Sequence, residues 1–320
     1  MTKKHLLKIA IFTLSVLLYG CLDASESDYE RQVREADEFL EEYLASNSID
    51  AEKQSSGVHI EVINENDDGK EVVEDHVVGV LYEMHHLEGD YLVESYSDTS
   101  NPVWFSNSYN NAHPSLYPAG LNYEIGKMRE GEKYRFYIPS YQAFGDYHHD
   151  DLFDIYSHFM VEVDLTEVKT EEEMYELELE KIQDYIETNE PEGESYPNGL
   201  YYVVREEGDG DKPSSGGRVE LHYTRKYLDG TVIESTEEDE PITVNLNNNE
   251  MVSGLEDGIQ LMREGEKAVF IMPSKLAFGK SIQVIPQDQD LHKDLVENGL
   301  IPEVKPYSPL MYEIELISTN

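Results

Sequence analysis

Two rhythms of apolar residues alternate along the chain. In Glu38-Phe39-Leu40-Glu41-Glu42-Tyr43-Leu44 the apolar positions fall three and four residues apart, and Ile182, Tyr185 and Ile186 repeat that spacing further on. This lines one face of a helix, so both acidic segments are predicted to be amphipathic helices. Polar stretches then lead into Gly57-Val58-His59-Ile60 and Gly199-Leu200-Tyr201-Tyr202, read as loops followed by a first strand. Beyond them the period drops to two. Val219, Leu221, Tyr223 and Arg225 share one face of a strand reaching Tyr227, and Leu228-Asp229-Gly230-Thr231 is a hairpin turn. Thr243–Leu246, Ala268–Met272 and Leu310–Ile317 read as further strands. Leu255, Ile259 and Met262 return to helical spacing, with Gly265 expected as the cap. The pattern predicts an antiparallel sheet with one short helix on a face, an α+β arrangement.

The pattern occurs twice. Met128-Arg129-Glu130-Gly131-Glu132-Lys133 recurs as Met262-Arg263-Glu264-Gly265-Glu266-Lys267, and Pro139-Ser140 with Ala143-Phe144-Gly145 recurs as Pro273-Ser274 with Ala277-Phe278-Gly279, both at an offset of 134. A period this long marks a duplicated domain, since solenoid repeats run about 20–50 residues. The expected organisation is a targeting segment over 1–20, a linker and helix over 21–55, one domain over 56–169, a helical linker over 170–190 and a second domain over 191–320.

The first residues lie outside this scheme. Lys3, Lys4 and Lys8 precede an apolar run from Ile9 to Leu18, too short to span a bilayer, and Leu18-Tyr19-Gly20-Cys21 follows. That order resembles a bacterial lipobox, which implies cleavage before Cys21 and a lipid on its thiol. Cys21 is the one cysteine, so no internal disulfide forms. The expected location is the bacterial cell envelope, lipid-anchored and facing the periplasm or the cell surface. Loss of three lysines with the leader takes the formal charge from −43 to about −46. Such acidity excludes a nucleic-acid partner, which needs a basic patch.

The second copy carries a series of motifs in order. They are His222-Tyr223-Thr224, Leu228-Asp229-Gly230-Thr231, Ile233-Glu234-Ser235-Thr236, Met251-Val252-Ser253-Gly254-Leu255, Gly265-Glu266-Lys267, Leu276-Ala277-Phe278-Gly279 and Leu310–Leu316. In this order and spacing they resemble the FKBP-type peptidyl-prolyl isomerase family, so the chain reads as two tandem FKBP-like domains. The resemblance implies a pocket between sheet and helix, with Tyr223, Glu234, Phe278 and Tyr312 as its working residues. Ile233, Ile242, Met251, Val252 and Leu255 would line it. Leu255 stands where the family often has Trp, and Ile233 replaces an aromatic. The loop between Gly279 and Pro306 is enlarged and partly helical in pattern (Asp288–Glu297); in the family this loop overhangs the pocket.

The first copy is weaker. Tyr82 and Phe144 persist, Leu121 stands opposite Leu255, and Val161 replaces the last-strand aromatic. Val93 and Glu94 match Ile233 and Glu234 only ambiguously, and degraded or absent catalysis is expected there. An isomerase site needs no metal or cofactor. It has to hold the twisted X–Pro amide better than either planar form. The expected partners are proline-containing exported polypeptides. The competing readings are a non-catalytic chaperone or scaffold using the same pockets, and an envelope lipoprotein assembling through helices 36–46 and 171–187. Asn64–Asp75 loosely fits a calcium loop but reads better as a hairpin turn, and the pairs His85-His86 and His148-His149 read as surface residues rather than metal ligands.

Overall fold

The computed structural model describes residues 26–107, 114–190, 192–248 and 251–320. Cys21 and the targeting segment lie outside the described residues. The chain divides into two compact units, Met1–Ser48 and Ile49–Asn320. In the first, helix α1 (Asp28–Asn47) opens on a capping box. The Glu30 amide donates to Ser27 Oγ at 3.2 Å and the Ser27 amide donates back to Glu30 at 2.8 Å. Ala36, Leu40 and Leu44, four residues apart, are its buried stripe.

The second unit holds two seven-stranded sheets built on one plan. The first contains β1 (Glu52–Lys53), β2 (His59–Asn64), β3 (Val77–His86), β4 (Tyr91–Tyr96) and β5 (Val103–Ser106). After the short β6 (Leu116–Tyr117) and helix α2 (Ala119–Glu124) come β7 (Lys133–Ile138) and β8 (Phe159–Lys169). Helix α3 (Glu171–Asn189) leads to the second set: β9 (Glu194–Ser195), β10 (Tyr201–Glu206), β11 (Arg218–Tyr227), β12 (Val232–Ser235), β13 (Ile242–Asn245), helix α4 (Ser253–Leu261) and β14 (Lys267–Met272). The insertion contributes β15 (Gln283–Val284) and helix α5 (Gln289–Glu297) before β16 (Leu310–Thr319). The first sheet runs β1-β2-β7-β8-β3-β4 with β5 on β3, and the second runs β9-β10-β14-β16-β11-β12 with β13 on β11. All pairs within both sheets are antiparallel, so each domain is α+β with the same strand order.

Burial in β14 shows what each sheet face meets. Ala268, Phe270 and Met272 point to the inner core with Leu255 and Ile259 of α4, while Val269 and Ile271 point outward to Ile182 and Ile186 of α3. A strand covered on both faces reads as a continuous apolar run. Helix α3 is therefore packed against the outer face of the second sheet. Its first turn is capped by Thr170, whose Oγ accepts from the Glu173 amide at 3.2 Å. Met174 in that helix lies with Val77 and Trp104 of the first domain and Tyr307 of the second. Glu178 is buried and accepts from the Ser274 amide at 2.6 Å and hydroxyl at 2.7 Å.

Two expectations are corrected. Gly265 does not cap α4. The helix ends at Met262, which is already extended, and Gly265 (φ 83°) serves the following turn, where the Glu266 amide donates to Arg263 O at 3.0 Å. The enlarged loop does not simply overhang the pocket of its own domain. Val284, Ile285, Leu291, Leu295 and Ile301 join the hydrophobic core of the first domain, and β15 pairs in parallel with β6. An acidic helix with Leu291 and Leu295 four residues apart presents one apolar face that needs a covering surface, and here the first domain supplies it.

Candidate functional site

Tyr223 comes from the middle of β11, Tyr312 from β16 where it pairs with Arg225, and Leu255 from the first turn of α4. These are the points where inward-facing strand residues meet the helix. The Tyr223 and Tyr312 rings lie 6.3 Å apart. Leu255 (8% exposed) and Tyr312 (2% exposed) form the floor. Tyr223, Ile233, Met251, Val252 and Phe278 pack on the same cluster but stay partly exposed, and this open apolar side of the cluster is the candidate groove. Ile242 does not join it. It pairs with Leu221 near the end of the strand contact and is 36% exposed, whereas Val244 and Leu246, at the next positions on that face, pack inward.

The polar side of the groove is a linked network. Glu234 lies close to the Tyr223 hydroxyl. Burial first, and the neighbouring Glu234 carboxylate second, push the Tyr223 hydroxyl above the ordinary tyrosine range, so it remains protonated at neutral pH. Burial also raises Tyr312. Arg225 joins this network from β11. Its guanidinium lies 4.8 Å above the Phe278 ring, 3.1 Å from Glu234, and in contact with Glu303 from the inserted loop. The signal was present in the sequence: Arg225 is in phase with Val219, Leu221 and Tyr223, so a period-two reading turns it inward. Val252 is the N-cap of α4, and its N–H precedes the helical ladder.

The first domain repeats this frame with different contents. Met84 faces Glu94 across β3 and β4 as Arg225 faces Glu234 across β11 and β12, which fixes Glu94 as the counterpart of Glu234. Tyr82 donates to Glu94, at the position that Tyr223 takes beside Glu234. Yet Tyr82 is only 4% exposed, and Leu121 and Val161 are fully buried. Pro118 is the N-cap of α2, the place Val252 takes in α4, and proline has no N–H to offer a substrate carbonyl. The 134-residue offset sets Pro118 opposite Val252 in the sequence already.

The paired histidines are accounted for locally where they pack. His85 Nε2 lies 2.5 Å from Glu83, and His86 Nε2 lies 2.8 Å from Ser157 Oγ. Among the described residues, no group of three or more His, Cys, Asp or Glu side chains is arranged to hold a metal ion. No helix among them is long and apolar enough to cross a membrane.

Residues 210–317 match the family model described as FKBP-type peptidyl-prolyl cis-trans isomerase. Among similar proteins, the FKBP-type peptidyl-prolyl cis-trans isomerase FkpA of Aeromonas hydrophila is 38% identical over 120 residues, 37% of this chain and 44% of that one. The macrophage infectivity potentiator of Trypanosoma cruzi is 34% identical over 131 residues, 40% of this chain and 57% of that one. The chain thus spans about half the length of these relatives. The three FKBP domains of wheat FKBP73 align over 83% of this chain and 96% of theirs, at 21% identity and a TM-score of 0.32.

Proposed function

Residues 210–317 belong to the FKBP-type peptidyl-prolyl cis-trans isomerase family, and from that premise we propose that the C-terminal domain catalyses rotation about X–Pro bonds. The observation that carries the reading is the apolar cluster built on buried Leu255 and Tyr312, whose outer members Tyr223, Ile233 and Phe278 stay partly exposed beside the Arg225–Glu234 ion pair. An X–Pro amide resists rotation by about 18–20 kcal/mol because its C–N bond is partly double. At the top of the barrier the amide has lost its resonance charge separation and is less polar than either planar form. An apolar wall therefore favours the twisted state, and catalysis follows from that preference without a covalent step. In this reading Ile233, Met251, Val252, Leu255 and Phe278 hold the proline ring and its flanks. The Val252 N–H receives a substrate carbonyl. Glu234 orients the Tyr223 hydroxyl, and Arg225 holds Glu234.

The proposed clients are exported proteins, whose folding proline isomerisation can limit. The lipobox pattern at Cys21 supports an envelope location with a lipid anchor, and detergent partitioning abolished by Cys21→Ala tests it. The isomerase reading is tested on the full chain with a proline peptide in a protease-coupled or NMR exchange assay. Turnover above the uncatalysed rate is expected, with a large loss in both Tyr223→Ala and Phe278→Ala. A folded wild-type chain that leaves the uncatalysed rate unchanged would favour the chaperone or scaffold reading, with the groove used for binding alone.

A further inference from the structure

The groove of the first domain is filled by the second domain's inserted loop. Val284 and Ile285 are buried in the cluster that contains Tyr82, Leu121 and Val161, the counterparts of Tyr223, Leu255 and Tyr312. Phe144, which matches Phe278, packs on the same cluster, and Pro286 beside Ile285 is buried as well. The backbone contacts are regular. The Gln283 amide donates to Ser115 O at 2.9 Å and the Ile285 amide to Tyr117 O at 2.9 Å. The Gln287 amide donates to Glu94 at 2.7 Å and to Tyr82 Oη at 3.2 Å. Every second amide of one extended edge is thus taken up by the groove, which is how a strand is received by a sheet-edge site.

The groove's own chemistry matches this occupant. Pro118 removes the N–H that Val252 offers in the other domain, so the first groove presents acceptors: two carbonyls, a hydroxyl oxygen and a carboxylate. The segment answers with donors at alternate positions and aliphatic side chains ahead of a proline. Flanking contacts hold it in place, with Lys280 2.8 Å from Asp75 and Tyr147 bonded to Asp294.

We infer that the groove of the N-terminal domain is a receptor site for an extended aliphatic–proline segment, and that its ligand is the chain's own Gln283–Gln287. The N-terminal domain then works as a clasp that positions the C-terminal loop, including Glu303 beside Arg225, and offers no second isomerase site. The inference stands whether or not the C-terminal domain is catalytic.

Hydrogen exchange on the full chain tests it. In the wild type the amides of Gln283, Ile285 and Gln287 should be protected. In the double variant Tyr82→Phe, Glu94→Ala the Gln287 amide should exchange about tenfold faster or more, because it loses a bond to a charged acceptor. Amides of β7 and β8 should not change. A second arm replaces residues 283–287 by a Gly-Ser run in the full chain and adds a synthetic peptide of residues 281–288. One peptide per chain should bind, and Glu94→Ala in that background should abolish uptake. Free exchange of Gln287 in the wild type overturns the inference. So does a folded Gly-Ser chain that takes up no peptide, or one whose uptake survives Glu94→Ala and is lost only with Tyr223→Ala. If the Gly-Ser chain does not fold, the exchange arm decides.

Discussion

Replacing Arg225 by Met keeps most of the side-chain volume and removes the charge that ties the groove together. Arg225 is 9% exposed as a side chain, whereas Glu234 and Glu303 are 44% and 36% exposed. Breaking a fully buried ion pair costs about 3–5 kcal/mol. Both carboxylates here still meet water, so their share falls to about 1–2 kcal/mol. The stacking of the guanidinium on Phe278 adds about 1 kcal/mol. The expected loss is therefore about 2–3 kcal/mol in the C-terminal domain, read from hydrogen exchange of β11 and β16 amides across a urea series. The same change frees Glu234 from its ion-pair partner, and kcat/KM for a proline peptide should fall about fivefold to tenfold. A double-mutant cycle with Glu303→Gln should return a coupling of about 1 kcal/mol, since the two groups touch. If Arg225→Met leaves both stability and kcat/KM unchanged, the network is a surface ion cluster and not part of the site.

Two further outcomes follow from packing and burial. Burial pushes the Glu178 carboxyl above its ordinary value, with the Ser274 bonds pulling it partly back. A raised folded-state pKa favours the fold fully below the unfolded value and loses that contribution as pH rises through the folded one. Wild type should therefore gain stability relative to Glu178→Gln as pH falls from neutral toward about 4.5, and a gap that stays constant across that window counts against the buried carboxylate. In Gly258→Ala, the new Cβ would stand 2.5 Å from the Phe270 ring, which is fully buried. Helix α4 must then shift, at about 1–3 kcal/mol, lowering both the melting temperature and the isomerase rate. An unchanged melting temperature would show that the helix does not rest on that ring.

Much of this protein was legible before any coordinates. Period-two runs located the strands, three-and-four spacing located α3 and α4, and the 134-residue offset declared a duplication, because local patterning carries the secondary structure of each copy. Tyr223, Leu255, Phe278 and Tyr312, named from ordered motifs, meet in one hydrophobic cluster, and the place of Pro118 opposite Val252 is also readable from the offset. Ile242 lies outside that cluster, because a strand's phase does not tell where its neighbour ends. Arg225 needed partners from β12 and from a loop nearly eighty residues on before its inward phase meant anything. The destination of the inserted loop lay beyond the sequence altogether. Val284, Ile285, Leu291 and Leu295 announce only that an apolar edge must be covered, and hydrophobic burial is non-directional. Which surface covers it is settled by the three-dimensional meeting of two domains, where the acceptors of the first groove face the amides of the second domain's loop.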